Sequence, residues 1–176
     1  MRVLGIDPGT IQMGYGVIEA EGVALSYVDC GVIKAPSDMP IARRLHKLYL
    51  ELKDIISDAR PDVAAVETPF VAKNVNSAIA IGQAQAIAIL AAAEASLPVY
   101  QYAPAKVKSA VTNYGASSKE QVQQMVRLQL GLRETLPHVG AGSAFRHLLD
   151  ATDALAVAIC HSQQLRLGSI LAEQKR

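Results

Sequence analysis

Residues 2–34 read RVLGIDPGTIQMGYGVIEAEGVALSYVDCGVIK. Three apolar runs, Arg2 to Ile6, Gly14 to Ala20 and Val23 to Lys34, are parted only by short breaks. Val, Ile and Tyr recur in them, as suits a pleated, half-buried surface. The Glu21-Gly22 pair predicts a hairpin turn between the second and third runs. Three strands joined by short turns predict an antiparallel meander.

Downstream the period changes. After the break at 35–40, apolar residues Ile41, Leu45, Leu48, Leu52, Ile55 and Ile56 fall on one stripe, predicting a helix from Ile41 to Ala59. Arg60-Pro61 ends it. Asp62 to Glu67, DVAAVE, predicts a short buried strand. Strand, long helix and strand in succession predict a crossover and a parallel neighbour. Asn76 to Ser96 is rich in Ala and Ile and apolar almost all round, so as a helix it must be covered on most sides. Pro98 to Tyr102 predicts the last strand. Pro104 to Asn113 and Ser118 to Leu130 predict helices, the latter with Ser118 and Gln121 at capping-box spacing. A loop over 137–143 and a helix from Leu149 to Leu167 close the chain. The expected organisation is one α/β domain over residues 1–168 and a flexible tail over 169–176.

The chain has 176 residues, 51% apolar and 19% charged, a composition that excludes a disordered chain. Two cysteines, Cys30 and Cys160, are too few for a Cys-only zinc site or a disulfide framework. The amino terminus, MRVLGIDPGT, lacks the apolar core of an export signal. The most apolar stretch, Ile79 to Ala95, is interrupted by Gln83, Gln85 and Glu94, short of the roughly 18 consecutive apolar residues of a membrane span. The expectation is a cytoplasmic protein with no membrane partner. The net charge of +1 gives no bulk attraction to nucleic acid, yet Lys106, Lys108, Lys119, Arg127, Arg133 and Arg146 crowd into 106–147. They form either a solvated helical face or a phosphate-binding flank.

Four acids share an unusual placement. Asp7 follows the first strand, Glu67 ends another, and Asp150 and Asp153 open the last helix. Each has a local explanation: Asp7-Pro8-Gly9 makes a turn, Glu67 stands at a strand end, and acids favour a helix amino terminus. If the strands carrying Asp7 and Glu67 are parallel neighbours, the two acids share the sheet edge where open α/β folds place their sites. Asp150 and Asp153 are an i, i+3 pair. Carboxylates so gathered repel, and a divalent cation relieves them. All-oxygen donors suit Mg²⁺ or Mn²⁺ rather than zinc. Such a site serves metal-assisted phosphodiester hydrolysis.

Five segments in order resemble the RuvC family of bacterial Holliday-junction resolvases: GIDPGT (5–10) with GYGVI (14–18), VETPFVAKN (66–74), SAIAIGQAQAIAI (77–89), KEQVQQMV (119–126) and DATDALAVAICH (150–161). The resemblance spans about Leu4 to His161. It implies an RNase H-like fold, a five-stranded mixed sheet with the first three strands antiparallel, flanked by helices. It implies a metal-dependent endonuclease acting on four-way DNA junctions. A homodimer would nick two strands of like polarity symmetrically, leaving 5′-phosphate and 3′-hydroxyl ends. By position Asp7, Glu67, Asp150 and Asp153 match the family's catalytic, metal-binding acids, with two Mg²⁺ or Mn²⁺ ions per site and Asp7 bridging them. No other cofactor is implied. Lys108 and Lys119 match basic residues near the scissile phosphate. Phe70 matches an aromatic that engages a base near the crossover, and Lys73 and Asn74 would touch the DNA backbone. The Ala-rich helix would help form the dimer, and the family works beside RuvA and RuvB.

Two departures stand out: Thr68-Pro69 replaces a more polar pair after Glu67, and the chain is longer between Leu130 and Asp150, a segment holding His138, Arg146 and His147. That segment reads as a surface insertion and His147 as peripheral, with Cys160 and His161 packed in the core. Three rivals stay open on the sequence. One is a phosphate-binding ATPase-like domain, which GIDPGT also resembles, although no second phosphate loop is found. A second is a non-catalytic junction-binding module, and a third is the related YqgF-like nuclease group, which shares the first loop but is not associated with a VETPFVAKN-type loop.

Overall fold

Strand β1 (Arg2–Asp7) lies at the centre of a five-stranded sheet. β2 (Gln12–Glu21) and β3 (Ala24–Lys34) follow it as an antiparallel meander. Gly22 takes the turn between them at φ +62°, a left-handed conformation that suits glycine. Helix α1 (Ile41–Ala59) crosses over to β4 (Val63–Glu67), which pairs parallel with β1. Helix α2 (Val75–Glu94) crosses to β5 (Val99–Tyr102), parallel with β4. The order is therefore β3-β2-β1-β4-β5. Helices α3 (Pro104–Thr112), α4 (Lys119–Gln129) and α5 (Ala144–Glu173) complete the chain. The computed structural model describes residues 1–69, 75–132 and 144–173, with 144–150 and 173 described by backbone alone.

The mixed sheet and the antiparallel meander are as the sequence predicts. So is the α4 cap: the Ser118 side chain accepts from the Gln121 amide at 3.3 Å, and Gln121 Oε1 accepts from the Ser118 amide at 2.9 Å. One boundary differs plainly. α5 starts at Ala144 and runs to Glu173, beyond Leu149 to Leu167 at both ends. Part of the expected surface insertion is thus helix: Phe145, Leu148 and Leu149 extend the i, i+3, i+4 apolar pattern towards the amino terminus, and no Gly or Pro interrupts 144–148.

Alternation along the strands builds two cores. Val3 and Ile18 with Val63 and Ala65 face α3, α4 and α5. Leu4, Ile6, Val17 and Val66 face α1 and α2. From α1 come Leu48, Leu52 and Ile56, each burial stabilising by about 1.5–3 kcal/mol. From α2 come the buried Ala84, Ala88 and Ala91, with Ile87 and Ile89 packed beside them. By length and composition α2 suffices to cross a bilayer. Its inner stripe nevertheless packs into the core, while Val75, Ile79 and Leu90 are exposed on its outer side.

Candidate active site

The period of two that sends Val3 and Gly5 toward α5 sends Asp7 the same way, and Val63, Ala65 and Glu67 follow the same rule on β4. Ile6 stands beside Val66 in the parallel register, so Asp7 and Glu67 come next, side by side at the carboxyl edge of the sheet. The two carboxyls share a hydrogen bond.

α5 delivers the third acid, Asp153, and the sheet is cut to receive it. Gly5 and Gly16 face one another across β1 and β2. A Cβ on Gly5 would stand 2.0 Å from the Ala154 carbonyl oxygen, and one on Gly16 would stand 2.7 Å from the Leu155 amide nitrogen. Only bare backbone lets the helix lie this low on the sheet. The same contact holds residue 153, one position earlier, at the acidic edge.

The electrostatics follow from this crowding. Burial raises the Glu67 carboxyl, the charges of Asp7 and Asp153 raise it further, and the hydrogen bond to Asp7 adds to the effect. Lys108 opposes them, and the outcome is a carboxyl pushed up to about 8. Glu67 therefore holds its proton more tightly than an isolated carboxyl, and its hydrogen bond with Asp7 favours the protonated form. Lys119 Nζ lies 2.6 Å from Asp153 Oδ2, with about half of its side chain exposed. Glu67, Lys108, Lys119, Asp153, Pro104 and Ala156 line an open cavity of about 210 Å³.

Among the described residues, no three His, Cys, Asp or Glu side chains close into a set that would hold a metal ion as it stands. The fourth acid, Asp150, lies one helical turn before Asp153 and is described by backbone alone. The chemistry of the donors still fits a hard cation. They are all carboxylate oxygens, they are crowded enough to hold a proton between them, and two lysines temper their charge.

Of the residues singled out in the sequence, the structure brings Asp7, Glu67, Asp153, Lys108 and Lys119 together. Phe70, Lys73 and Asn74 lie outside the described residues, as do His138 and the side chains of Arg146 and His147. Cys160 and His161 are fully buried, as expected. Two features escaped the sequence reading. The Gly5–Gly16 pair was signalled by glycines inside strand patterns, a mark of close backbone approach. The contact of Tyr102 with His161, 2.7 Å from hydroxyl to Nδ1, carried no local signal.

A mixed sheet of this order, with acids delivered to one edge by β1, β4 and a helix lying across the opposite strands, defines an RNase H-like fold with the site of a nuclease. The family "Crossover junction endodeoxyribonuclease RuvC" matches residues 3–161. The protein of that name from Chloroflexus aggregans is 51% identical over 162 residues, 92% of this chain and 93% of its own. That of Dehalococcoides mccartyi is 48% identical over 173 residues, 98% of each chain. The solved structure of Thermus thermophilus RuvC in complex with a Holliday junction substrate superposes with a TM-score of 0.82 at 33% identity, covering 96% of both chains. The chain belongs to the RuvC family of crossover junction endodeoxyribonucleases. This is a family of divalent-metal-dependent nucleases.

Proposed function

We propose that this protein resolves four-way DNA junctions by paired, symmetric nicks in strands of like polarity, leaving 5′-phosphate and 3′-hydroxyl ends. The observation that carries the reading is the meeting of Asp7, Glu67 and Asp153 at one sheet edge, with Glu67 pushed up to about 8. A site that strains to hold its negative charge is a site prepared for cations. Asp7, Glu67, Asp150 and Asp153 would hold two ions, Mg²⁺ or Mn²⁺, with Asp7 the bridge that the family resemblance implies. When bound, such ions supply activation of the attacking water and stabilisation of the leaving oxygen.

The protein's own groups do the rest. Lys108 at the cavity wall offsets the charge of an entering phosphate. Lys119, paired with Asp153 in the absence of DNA, can turn its exposed ammonium to the phosphodiester while the acid turns to the cation. Phe70 would stack on a base beside the crossover, worth about 1–3 kcal/mol, and Lys73 and Asn74 would hold the backbone beside it. The exposed stripe of Val75, Ile79 and Leu90 on α2 suits contact with a second copy, and a homodimer supplies the two sites that symmetric nicking requires. RuvA and RuvB are the expected companions and the cytoplasm the expected location.

The test is incubation of the purified protein with a labelled four-way junction and a matching linear duplex in Mg²⁺, Mn²⁺ or EDTA. Paired nicks in the junction alone, lost in EDTA, are the expected result. Tight junction binding without cutting in either metal would replace the nuclease reading with a binding module.

A further inference from the structure

β5 ends at Tyr102, directly beside Glu67 in the register of the sheet. The Tyr102 carbonyl accepts from the Thr68 amide at 2.9 Å and from its hydroxyl at 3.4 Å. Backbone and side chain of the residue after Glu67 are therefore fastened to one atom of Tyr102. The other end of the same tyrosine reaches α5: its hydroxyl lies 2.7 Å from His161 Nδ1. His161 is fully buried, and the Tyr100 ring packs on it with centroids 4.5 Å apart. Lys106, at the foot of α3, holds its ammonium 5.7 Å from the Tyr102 ring centroid. A continuous chain of contacts thus joins the strand edge that bears Glu67 to the helix that bears Asp153.

His161 is a poor choice for packing alone. Its Nε2 is buried and has no hydrogen-bond partner among the described residues. An unpaired buried ring nitrogen opposes folding, and an apolar ring would fill the same space without that penalty. What the imidazole adds is the bond to Tyr102. Along α5, His161 follows position 150 by about three turns, so the two lie nearly on one line of the helix. A bond that sets where His161 meets the sheet also sets the rotation of α5 about its axis, and with it where residues 150 and 153 stand at the sheet edge.

We infer that the Tyr102–His161 hydrogen bond is a positioning link: it fixes α5 against the β4–β5 edge so that Glu67 and the acids of α5 meet one cation site. This rests on the four-acid reading of the previous subsection and deepens it. Tyr102 and His161 touch neither substrate nor metal in this account. They act through Thr68 and Glu67 on one side and α5 on the other.

The test is Tyr102→Phe, which deletes one oxygen and leaves the ring in place. Mn²⁺ binding is read on the DNA-free protein from the electron paramagnetic resonance signal of the free ion, with thermal melting alongside. Junction cleavage is then followed against Mn²⁺ concentration. The expected result is Mn²⁺ affinity weakened roughly tenfold, as for other groups that orient metal ligands. Cleavage should recover at high Mn²⁺, with junction affinity in EDTA unchanged. The double variant Tyr102→Phe with His161→Leu should bind Mn²⁺ no more weakly than the weaker single variant, because one bond is lost either way. Wild-type Mn²⁺ affinity in Tyr102→Phe overturns the link, even if the melting temperature falls, and it does so whether or not the His161 variant folds. Asp7→Asn is the control that separates the two readings. If Asp7→Asn loses Mn²⁺ binding and Tyr102→Phe keeps it, the link alone is wrong. If Asp7→Asn binds Mn²⁺ as the parent does, the four-acid site falls and the link falls with it.

Discussion

The two faces of the sheet are closed by opposite means. On the α5 face, backbone meets backbone: Gly5 and Gly16 leave no room for even a methyl group beneath Ala154 and Leu155. On the α1–α2 face, large side chains of α1 meet the alanines of α2, and the outer stripe of α2 stays uncovered. The first kind of contact transmits position, because bare backbone cannot adapt by changing rotamers. The second fills volume and tolerates adjustment. The acids sit on the first face. Chemistry should therefore fail from small changes there, whereas the other face should yield only losses of stability or assembly.

The sharpest break of that contrast is Asp7→Asn. It removes a ligand from the proposed site and one negative charge from the path of the phosphate. Junction cleavage should fall below detection in either metal, while junction affinity in EDTA holds or rises. A gel-based cleavage assay with a parallel binding titration checks both halves. Measurable turnover would move the catalytic centre away from Asp7.

Gly5→Ala comes next. Its new methyl would press on the Ala154 carbonyl oxygen from 2.0 Å, so α5 must lift. Overpacking of this kind costs about 1–3 kcal/mol or more. Its counterpart, Leu52→Ala, empties a fully buried site under α1 and costs about 2–5 kcal/mol. The losses of stability, read by urea melting, overlap. The difference lies in cleavage per folded molecule, which should fall steeply for Gly5→Ala and stay near the parent's for Leu52→Ala. Equal specific activities would show that the close backbone contact does not set the site.

Much of this arrangement is legible in the sequence. Strand pairing in the first 34 residues follows from local turns, and the alternation that puts Asp7 and Glu67 on one face is a property of any strand. The α4 capping box is equally local. Position along a helix and the height of that helix above a sheet are different quantities. That Gly5 and Gly16 act together appears only once β1 and β2 are in register. The Tyr102–His161 contact joins residues 59 apart in sequence, and neither residue type announces the other. The start of α5 is hidden for a plainer reason: Phe145, Leu148 and Leu149 carry the i, i+3, i+4 stripe, but they follow directly on a Gly-rich stretch that reads as a loop.

A pH test sharpens the comparison on the acidic side. In the folded protein the Glu67 carboxyl sits at about 8, above the 4.5 of an unperturbed glutamate. Between those values the folded chain keeps a proton that the unfolded chain has released, so stability falls as pH rises through that window and levels off above it. In EDTA, Glu67→Gln should therefore melt above the parent at pH 8, by an amount on the order of 2 kcal/mol, and the difference should close below pH 4.5. Mg²⁺ should reverse the order at pH 8 by stabilising the parent alone. A pH-independent difference between the two proteins would mean that Glu67 is not strained by its neighbours.

The mildest change belongs to the other face and uses the same substitution as the severe one. Gly82 lies within α2, and a Cβ built there meets nothing within 4 Å. Within one subunit, Gly82→Ala should be harmless. It should even stabilise the helix by about 0.5–1 kcal/mol, because glycine gives up more backbone freedom on folding than alanine does. One glycine-to-alanine change thus disrupts the α5 face and another strengthens the α2 face, although both glycines lie inside regular elements. Enlarging the side chain then separates the monomer from the assembly. Gly82→Leu still finds open space in the subunit, so its fold should survive, yet a second copy packed against the outer stripe of α2 would meet the added bulk. Light scattering that shows folded monomers, with cleavage of one strand uncoupled from the other, would place the dimer contact on α2. A normal dimer with a normal melting temperature would put that contact elsewhere and leave the exposed Ile79 and Leu90 without this partner.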